Sequence, residues 1–244
     1  MDASIRTRIM LIAAALSLAG LSACASSPEA REANDPFEPA NRAVYGFNEA
    51  VDAAVLEPSS EAYVAVTPEP TRDGVRNFMN NLNEPVVFVN TLLQGDLEGA
   101  GVTAARFGMN TVFGLAGLVD VASREGLERR NEDFGQTLGA WGVEPGPYLM
   151  LPFFGPSNVR DGIGRFADRY PHPLNWNEDY SSSDWAWTLR GVNGIDYRAR
   201  SAGVMQRIDE TAIDPYVQIR SAYQQMRRDR IANGEDVEDL PDFD

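Results

Sequence analysis

Cysteine occurs once in this chain of 244 residues, at position 24, directly behind an apolar run that begins close to the N-terminus. With a single thiol no internal disulfide can close, so the fold must hold without one. The preceding residues have the three parts of an export signal. Arg6 and Arg8 supply a positive start, and Ile9 to Leu21 is apolar, broken only by small residues. Leu21-Ser22-Ala23-Cys24 matches the lipobox, where the thiol takes a diacylglyceryl group and the chain is cut before it. The run is too short for a spanning helix and suits a signal core. We expect residues 1–23 to be a lipoprotein signal peptide and Cys24 to be lipidated, with several acyl chains because one alone anchors weakly. Position 25 is Ala rather than the Asp that retains lipoproteins at the inner membrane, which favours the outer membrane.

The formal net charge is −15. Removing residues 1–23, which carry two Arg and one Asp, leaves about −16. Such a balance excludes nucleic acid as a partner and argues against adhesion to anionic headgroups. Membrane contact beyond the anchor should therefore be apolar. All 21 basic residues are Arg, so every cation can pair bidentately with carboxylate or phosphate.

Residues 24–34 read as a small, polar tether, 35–232 as one folded domain and 233–244 as an acidic disordered tail. A first helix starts near Asp35-Pro36-Phe37-Glu38, carries Phe37, Ala40, Val44, Phe47, Val51 and Val55 on one face, and ends at Pro58. A second carries Val75, Phe78, Met79 and Leu82, restarts at Glu84-Pro85 and runs to Gly95. Between Gly99 and Val119 the only charge is Arg106, and 107–119 has none. That uncharged run cannot span a bilayer. It reads as core helices, as a re-entrant hairpin or as an amphipathic segment in a membrane interface. Residues 134–164 and 171–187 are rich in Gly, Pro and aromatics and read as ordered loops, with one short strand over Tyr148 to Phe154. Helix returns through Ile195, Ala199, Ala202, Met205 and Ile208, then Tyr216, Ile219, Tyr223 and Met226.

Chemistry is constrained mostly by exclusion. The single histidine, His172, lies between two prolines, and no Gly-x-Ser-x-Gly elbow accompanies it. A hydrolase reading would have to use Ser157 or Ser181 to Ser183 with His172. One acylated cysteine and one histidine make no zinc site, and no metal or cofactor is expected. Glu178/Asp179 read as solvated charges rather than a glycosidase pair. Gly95, Gly99 and Gly101 lack the lysine and hydroxyl of a phosphate loop. No active site is recognisable, and the chain is not expected to be an enzyme.

Several short motifs recur in a fixed order. Asn34-Asp35-Pro36-Phe37-Glu38, Asn41-Arg42 and Phe47-Asn48 are followed by Asn77-Phe78, Leu82, Glu84-Pro85, Asn90 and Leu93-Gln94-Gly95. Next come Arg106-Phe107, Asn110-Thr111, Gly114, Gly117 and Asp120-Val121-Ala122. The densest block is Phe134-Gly135-Gln136-Thr137-Leu138-Gly139, Trp141-Gly142-Val143, Gly146-Pro147-Tyr148, Leu151-Pro152-Phe153, Gly155-Pro156-Ser157 and Arg160-Asp161. Asp214-Pro215-Tyr216 and Tyr223 close the series. Over about residues 34 to 231 the chain resembles the MlaA/VacJ family of outer-membrane lipoproteins.

The resemblance implies an all-α fold: a ring-like arrangement of amphipathic helices with a central channel and Gly/Pro/aromatic-rich loops, lying in the periplasmic leaflet of the outer membrane. It implies removal of phospholipid from the outer leaflet through the channel, hand-off to a soluble periplasmic lipid carrier, and residence beside a trimeric porin. The alternative is a porin-associated structural lipoprotein without lipid transport. On the family reading the 107–119 segment faces acyl chains. Phe107, Phe113, Leu115 and Leu118 are then acyl-facing candidates, and Phe47 and Asn48 shape the channel or only its packing. Arg106, in an apolar setting where an unpaired charge is costly, pairs with an acid such as Asp120 or Asp96 or meets a lipid phosphate. Arg160-Asp161 reads as an internal ion pair.

Overall fold

The structure is a computed structural model and describes residues 28–176 and 183–232. Cys24, the signal segment, Glu178/Asp179, Ser181, Ser182 and the acidic tail lie outside the described residues.

The chain is mostly helical. α1 (Pro28–Glu32) precedes α2 (Glu38–Val51), a π-helical stretch (Asp52–Leu56) and α3 (Glu57–Val66), which together form one uninterrupted rod. The stretch read as a tether includes α1, in which Ala30 is buried. Nor does Pro58 end the first helix. The π stretch widens the helix just ahead of it, with the Glu57 N–H bonding to the carbonyl of Asp52, and Pro58 sits in the first turn of α3. There its missing N–H and its clash with the preceding turn cost little.

α4 (Glu69–Leu93) runs through Pro85 without a break, and α5 (Leu97–Val112) folds back along it. Between them Gly95 takes φ +84° and Asp96 caps α5 by accepting the Gly99 N–H at 2.7 Å. The short α6 (Val121–Arg124) and α7 (Phe134–Ala140) follow, each capped by an aspartate, Asp120 and Asp133. The expected strand is one arm of an antiparallel hairpin, β1 (Tyr148–Leu151) with β2 (Gly155–Asn158), in register Tyr148 to Asn158. α8 (Val159–Ala167) continues directly from it. The 134–164 region is thus two helices and a hairpin rather than a loop. After a 3-10 turn (Pro173–Asn175) come α9 (Asp184–Thr211), which already contains Trp185 and Trp187, and α10 (Pro215–Ile231).

Packing links these elements in a closed circuit. α2 lies on β1, β1 pairs with β2, β2 contacts α8, α8 packs on α7, and α7 on α4. α4 meets α9, and α9 packs along α3 and the π stretch, which returns to α2. α10 seals one side against α7 and β2.

Candidate functional site

The polarity of this packing is inverted. Among the described residues, 19 buried side chains are polar or charged and ten are apolar. Water-soluble interiors show the opposite ratio. Apart from a small core around Tyr148, Met150, Tyr216 and Tyr223, many large apolar side chains are found outside, from Val55, Val64 and Val66 on the rod to Leu92, Leu93 and Leu97 at the α4–α5 turn. Trp176, Trp185 and Trp187 are exposed as well.

The exposed apolar surface peaks where α5 ends. Phe113 closes the helix, and the chain reverses over residues 113–120. The Val119 N–H reaches the carbonyl of Gly114 at 2.9 Å and the Gly117 N–H that of Asn110 at 2.8 Å. Leu115 and Ala116 are both left-handed, at φ +53° and +57°, a conformation costly for side chains larger than glycine. A Cβ at Gly114 would stand 2.2 Å from the Val119 carbonyl oxygen and 2.5 Å from that of Asn110, so only glycine fits. The result is a tightly bonded tip on which Phe113 and Leu115 are 72% and 70% exposed, with Leu118 beside them. Phe107, about one and a half turns back into the helix, is half-buried. The core reading of 107–119 is therefore overturned at its C-terminal end, because the turn projects its large side chains outward.

Under this tip the interior is charged. Arg106 is 1% exposed and spends its guanidinium on Glu84 (3.1 Å), both oxygens of Asp120 (3.1 and 3.3 Å), the Ser123 hydroxyl (3.0 Å) and the Leu127 carbonyl. Of its two expected roles the structure supports the pairing one, with Asp120 and Glu84; Asp96 instead pairs with Arg130. Burial pushes the Glu84 carboxyl up. Asp120 is also raised by burial, but hydrogen bonds from Ser123, Asn110 and Arg106 outweigh this and hold it at about 2. Asn110 completes the knot, donating to Asp120 at 3.0 Å and accepting the Ala122 N–H at 2.9 Å.

A second network ties α4 to α7 and α8. Asn90 donates to Asp168 at 2.8 Å and accepts from the Thr137 hydroxyl at 2.9 Å, while the Phe134 N–H also reaches Asp168. Burial raises Asp168 to about 6 against the pull of these donors. A third fastens α10. Asp161 receives the Tyr223 hydroxyl, Asn158 and Arg160 and forms an ion pair with Arg227, which also grips Asp133 through two nitrogens. At the start of the fold, fully buried Asp35 takes the Tyr216 hydroxyl at 2.5 Å, Arg220 at 2.8 Å and Asn41 at 2.7 Å.

Asn48 clamps α2 to the hairpin, donating to the Leu151 carbonyl at 3.0 Å and accepting the Phe153 N–H at 2.8 Å. Phe47 meets Phe153 edge-on at 5.3 Å between centroids, with both rings exposed. The candidates thus separate: Phe47, Phe113, Leu115 and Leu118 lie on the surface, whereas Arg106 and Asn48 hold elements together. Reasoning from sequence missed most of the buried polar set as site-forming. Its signal was nonetheless there, because Asp35, Asn41, Glu84, Asn90, Asn110, Gln136, Thr137 and Asp161 all sit in the motifs quoted for the resemblance.

His172 caps the 3-10 turn, accepting the Leu174 N–H on Nδ1 at 3.2 Å, and burial, with the nearby Arg190 charge, lowers its pKa. The Ser157 hydroxyl is buried and donates to the Asn158 carbonyl at 3.3 Å, and Ser183 caps α9. The structure does not bring these serines into hydrogen-bond contact with His172. Among the described residues no group of His, Cys, Asp and Glu is arranged to hold a metal, and no helix is long and apolar enough to cross a membrane.

These features define a class: a helical protein with a hydrogen-bonded polar interior and an apolar exterior that demands cover. The chain belongs to the MlaA lipoprotein family, whose model matches residues 33–230. The intermembrane phospholipid transport system lipoprotein MlaA of Escherichia coli (strain K12) is 38% identical over 232 residues, covering 93% of this chain and 90% of the relative. Its counterpart in Haemophilus influenzae is 35% identical over 242 residues, 95% of each chain. A solved structure described as the structural basis for maintenance of bacterial outer membrane lipid asymmetry superposes with a TM-score of 0.70 and 35% identity. That match covers 81% of this chain and 98% of the other.

Proposed function

We propose that this protein is an outer-membrane lipoprotein that removes mislocalised phospholipid from the outer leaflet and passes it to a soluble periplasmic carrier, so maintaining lipid asymmetry. The carrying observation is the inverted polarity: charged and amide side chains inside, Phe113, Leu115, Leu118 and their neighbours outside. Lipid tails can cover the exterior, while a polar interior offers a headgroup the contacts it leaves behind in water. The closed circuit of packed elements supports a ring, and a ring of this kind gives the headgroup a path through its middle. Phe113, Leu115, Leu118 and Phe107 are the proposed acyl-facing residues, and Cys24 the anchor to the periplasmic leaflet. Phe47 and Asn48 shape the rim where α2 meets the hairpin. A trimeric porin is the proposed neighbour, offering a wall against which exposed aromatics such as Trp185 and Trp187 can rest. No bond is broken in this task, so the protein is not proposed to be an enzyme.

The test is outer-leaflet phospholipid in cells lacking the protein, with wild type or Cys24→Ala restored. We expect phospholipid to accumulate and only the wild type to clear it. An unchanged outer leaflet would sink the transport reading and bring forward a porin-associated structural role.

A further inference from the structure

Where α10 packs against α7 it leaves a cavity of about 550 Å³. Glu132 and Gln136 line it from the α7 side, and Ala222, Met226, Asp229 and Arg230 from α10. That volume lies within the roughly 300–1,000 Å³ of small-molecule sites. Gln136 is 1% exposed, and its amide is held by Nε2 donating to the carbonyl of Asn131, another residue of the cavity wall, at 2.7 Å. The Oε1 of the same amide is buried and has no donor. Turning the amide over cannot supply one, because Nε2 would then lose the Asn131 carbonyl. A buried acceptor without a donor is a costly arrangement, and a donor entering the cavity beside it would relieve the cost.

The wall of this cavity is joined to the polar interior. Gln94 donates to Glu132 at 2.9 Å and to the Thr137 hydroxyl at 3.2 Å. That hydroxyl donates to Asn90, which in turn holds Asp168, so the cavity continues the network that ties α4 to α7 and α8. The charges in the wall are unequal: two carboxylates, Glu132 and Asp229, against one guanidinium, Arg230. Arg227, the nearest other cation along α10, is committed to Asp133 and Asp161. Burial, and after it the charge of Asp133, pushes the Glu132 carboxyl up against the pull of the Gln94 hydrogen bond, a condition that an added cation relieves. The cavity thus asks for a positively charged N–H donor and offers one arginine to a single negative group.

We propose that the cavity between α7 and α10 binds the phosphoethanolamine headgroup of a phospholipid, with the primary ammonium at Glu132, Asp229 and Gln136 Oε1 and the phosphodiester at Arg230. A guanidinium suits phosphate oxygens, and an ammonium supplies three N–H donors to acceptors that lack them. Met226 and Ala222 give the cavity an apolar side for the carbons of the headgroup. An anionic headgroup without the ammonium would meet two carboxylates against one arginine. A trimethylammonium carries the charge but has no N–H for Gln136. Resting on the transport reading, the inference names the headgroup class that this part of the interior selects. Free phosphoethanolamine shares the chemistry, and the test separates the two sources.

The full-length lipidated protein in detergent is titrated with short-chain phosphatidylethanolamine, phosphatidylcholine and phosphatidylglycerol of identical tails, and with free phosphoethanolamine. The same titrations are made on Glu132→Gln/Asp229→Asn and on Arg230→Gln, with circular dichroism confirming that each variant keeps its helices. Wild type should bind phosphatidylethanolamine about tenfold or more tighter than either other lipid, and the Glu132→Gln/Asp229→Asn protein should lose that preference. Arg230→Gln should weaken phosphatidylethanolamine binding about threefold or more. Equal binding of phosphatidylethanolamine and either other lipid by wild type, an undiminished preference in the double variant, or unchanged affinity in Arg230→Gln overturns the site. Free phosphoethanolamine binding as tightly as the lipid overturns the lipid as its ligand. The two readings fail separately. If wild type clears outer-leaflet phospholipid in cells yet binds the three lipids equally, the site alone falls; if wild type clears none, the transport reading falls first.

Discussion

At the scale of single residues, the interior is held by a few side chains that each satisfy several others. Arg106 is the extreme case, with five acceptor atoms around one buried guanidinium. Arg106→Ala should cost about 3–5 kcal/mol, because Glu84 and Asp120 are left as uncompensated charges. Arg106→Lys should recover little, since one ammonium cannot reach acceptors spread over α4, α6 and the Leu127 carbonyl. Thermal unfolding in detergent measures both. Asp168 gives a pH signature of definite sign. Its folded pKa of about 6 lies above the ordinary 3.8, so the folded state holds this proton more tightly than the unfolded chain does. Its contribution to stability is full below pH 3.8 and is lost as pH rises through about 6. The loss is at most about 3 kcal/mol. Asp168→Asn should flatten that decline in unfolding midpoints measured across the same range, whereas a decline of unchanged size would show that another group causes it. Asp35, Glu84 and Asp161 were visible in the sequence only as members of ordered motifs, and buried Asp196 stands outside them. Nothing local distinguishes Asp161, which is buried, from an exposed acid such as Glu98, because burial depends on partners as remote as Tyr223 and Arg227.

At the scale of elements, periodicity located most helices but misread what their faces do. The stripe through Phe37, Val44, Phe47 and Val55 marks α2 and its continuation correctly, yet Phe47 and Val55 point outward while Asn41 is buried. Amphipathicity shows that a helix has two faces, and the usual assignment assumes water on the outside. Pro58 misled for a local reason: a π stretch absorbs it, and that device leaves no mark in composition. The glycines of the 107–119 run, by contrast, were informative once the turn was seen. Gly114→Ala should destabilise by about 1–3 kcal/mol, since the new methyl meets two backbone carbonyls that cannot move independently. Two residues on, Ala116→Gly should stabilise by up to about 1 kcal/mol, because glycine relieves the left-handed strain at φ +57°. Opposite signs from opposite exchanges in one turn would be read by the same unfolding experiment, and a shared sign would refute the described geometry.

At the scale of the whole molecule, the exposed apolar area should bind membrane even without the lipid anchor. Cys24→Ala protein should float with phosphatidylethanolamine vesicles. Adding Phe113→Ser, Leu115→Asn and Leu118→Ser should weaken that association at least about tenfold, given the transfer energy of large apolar side chains. Asn at position 115 tolerates the left-handed backbone, so the turn survives the change. Flotation unchanged by the triple substitution would move the membrane contact elsewhere on the surface. The body is clamped from Asp35 onward by Tyr216 and Arg220, and α1 begins at Pro28. Only four peptide steps separate Pro28 from Cys24, and each spans about 3.8 Å. With Cys24 acylated, the leash is about 15 Å at most. On the proposed reading, a body moored so closely cannot ferry anything across the periplasm, so travel falls to the proposed carrier and the protein serves as a fixed landing stage.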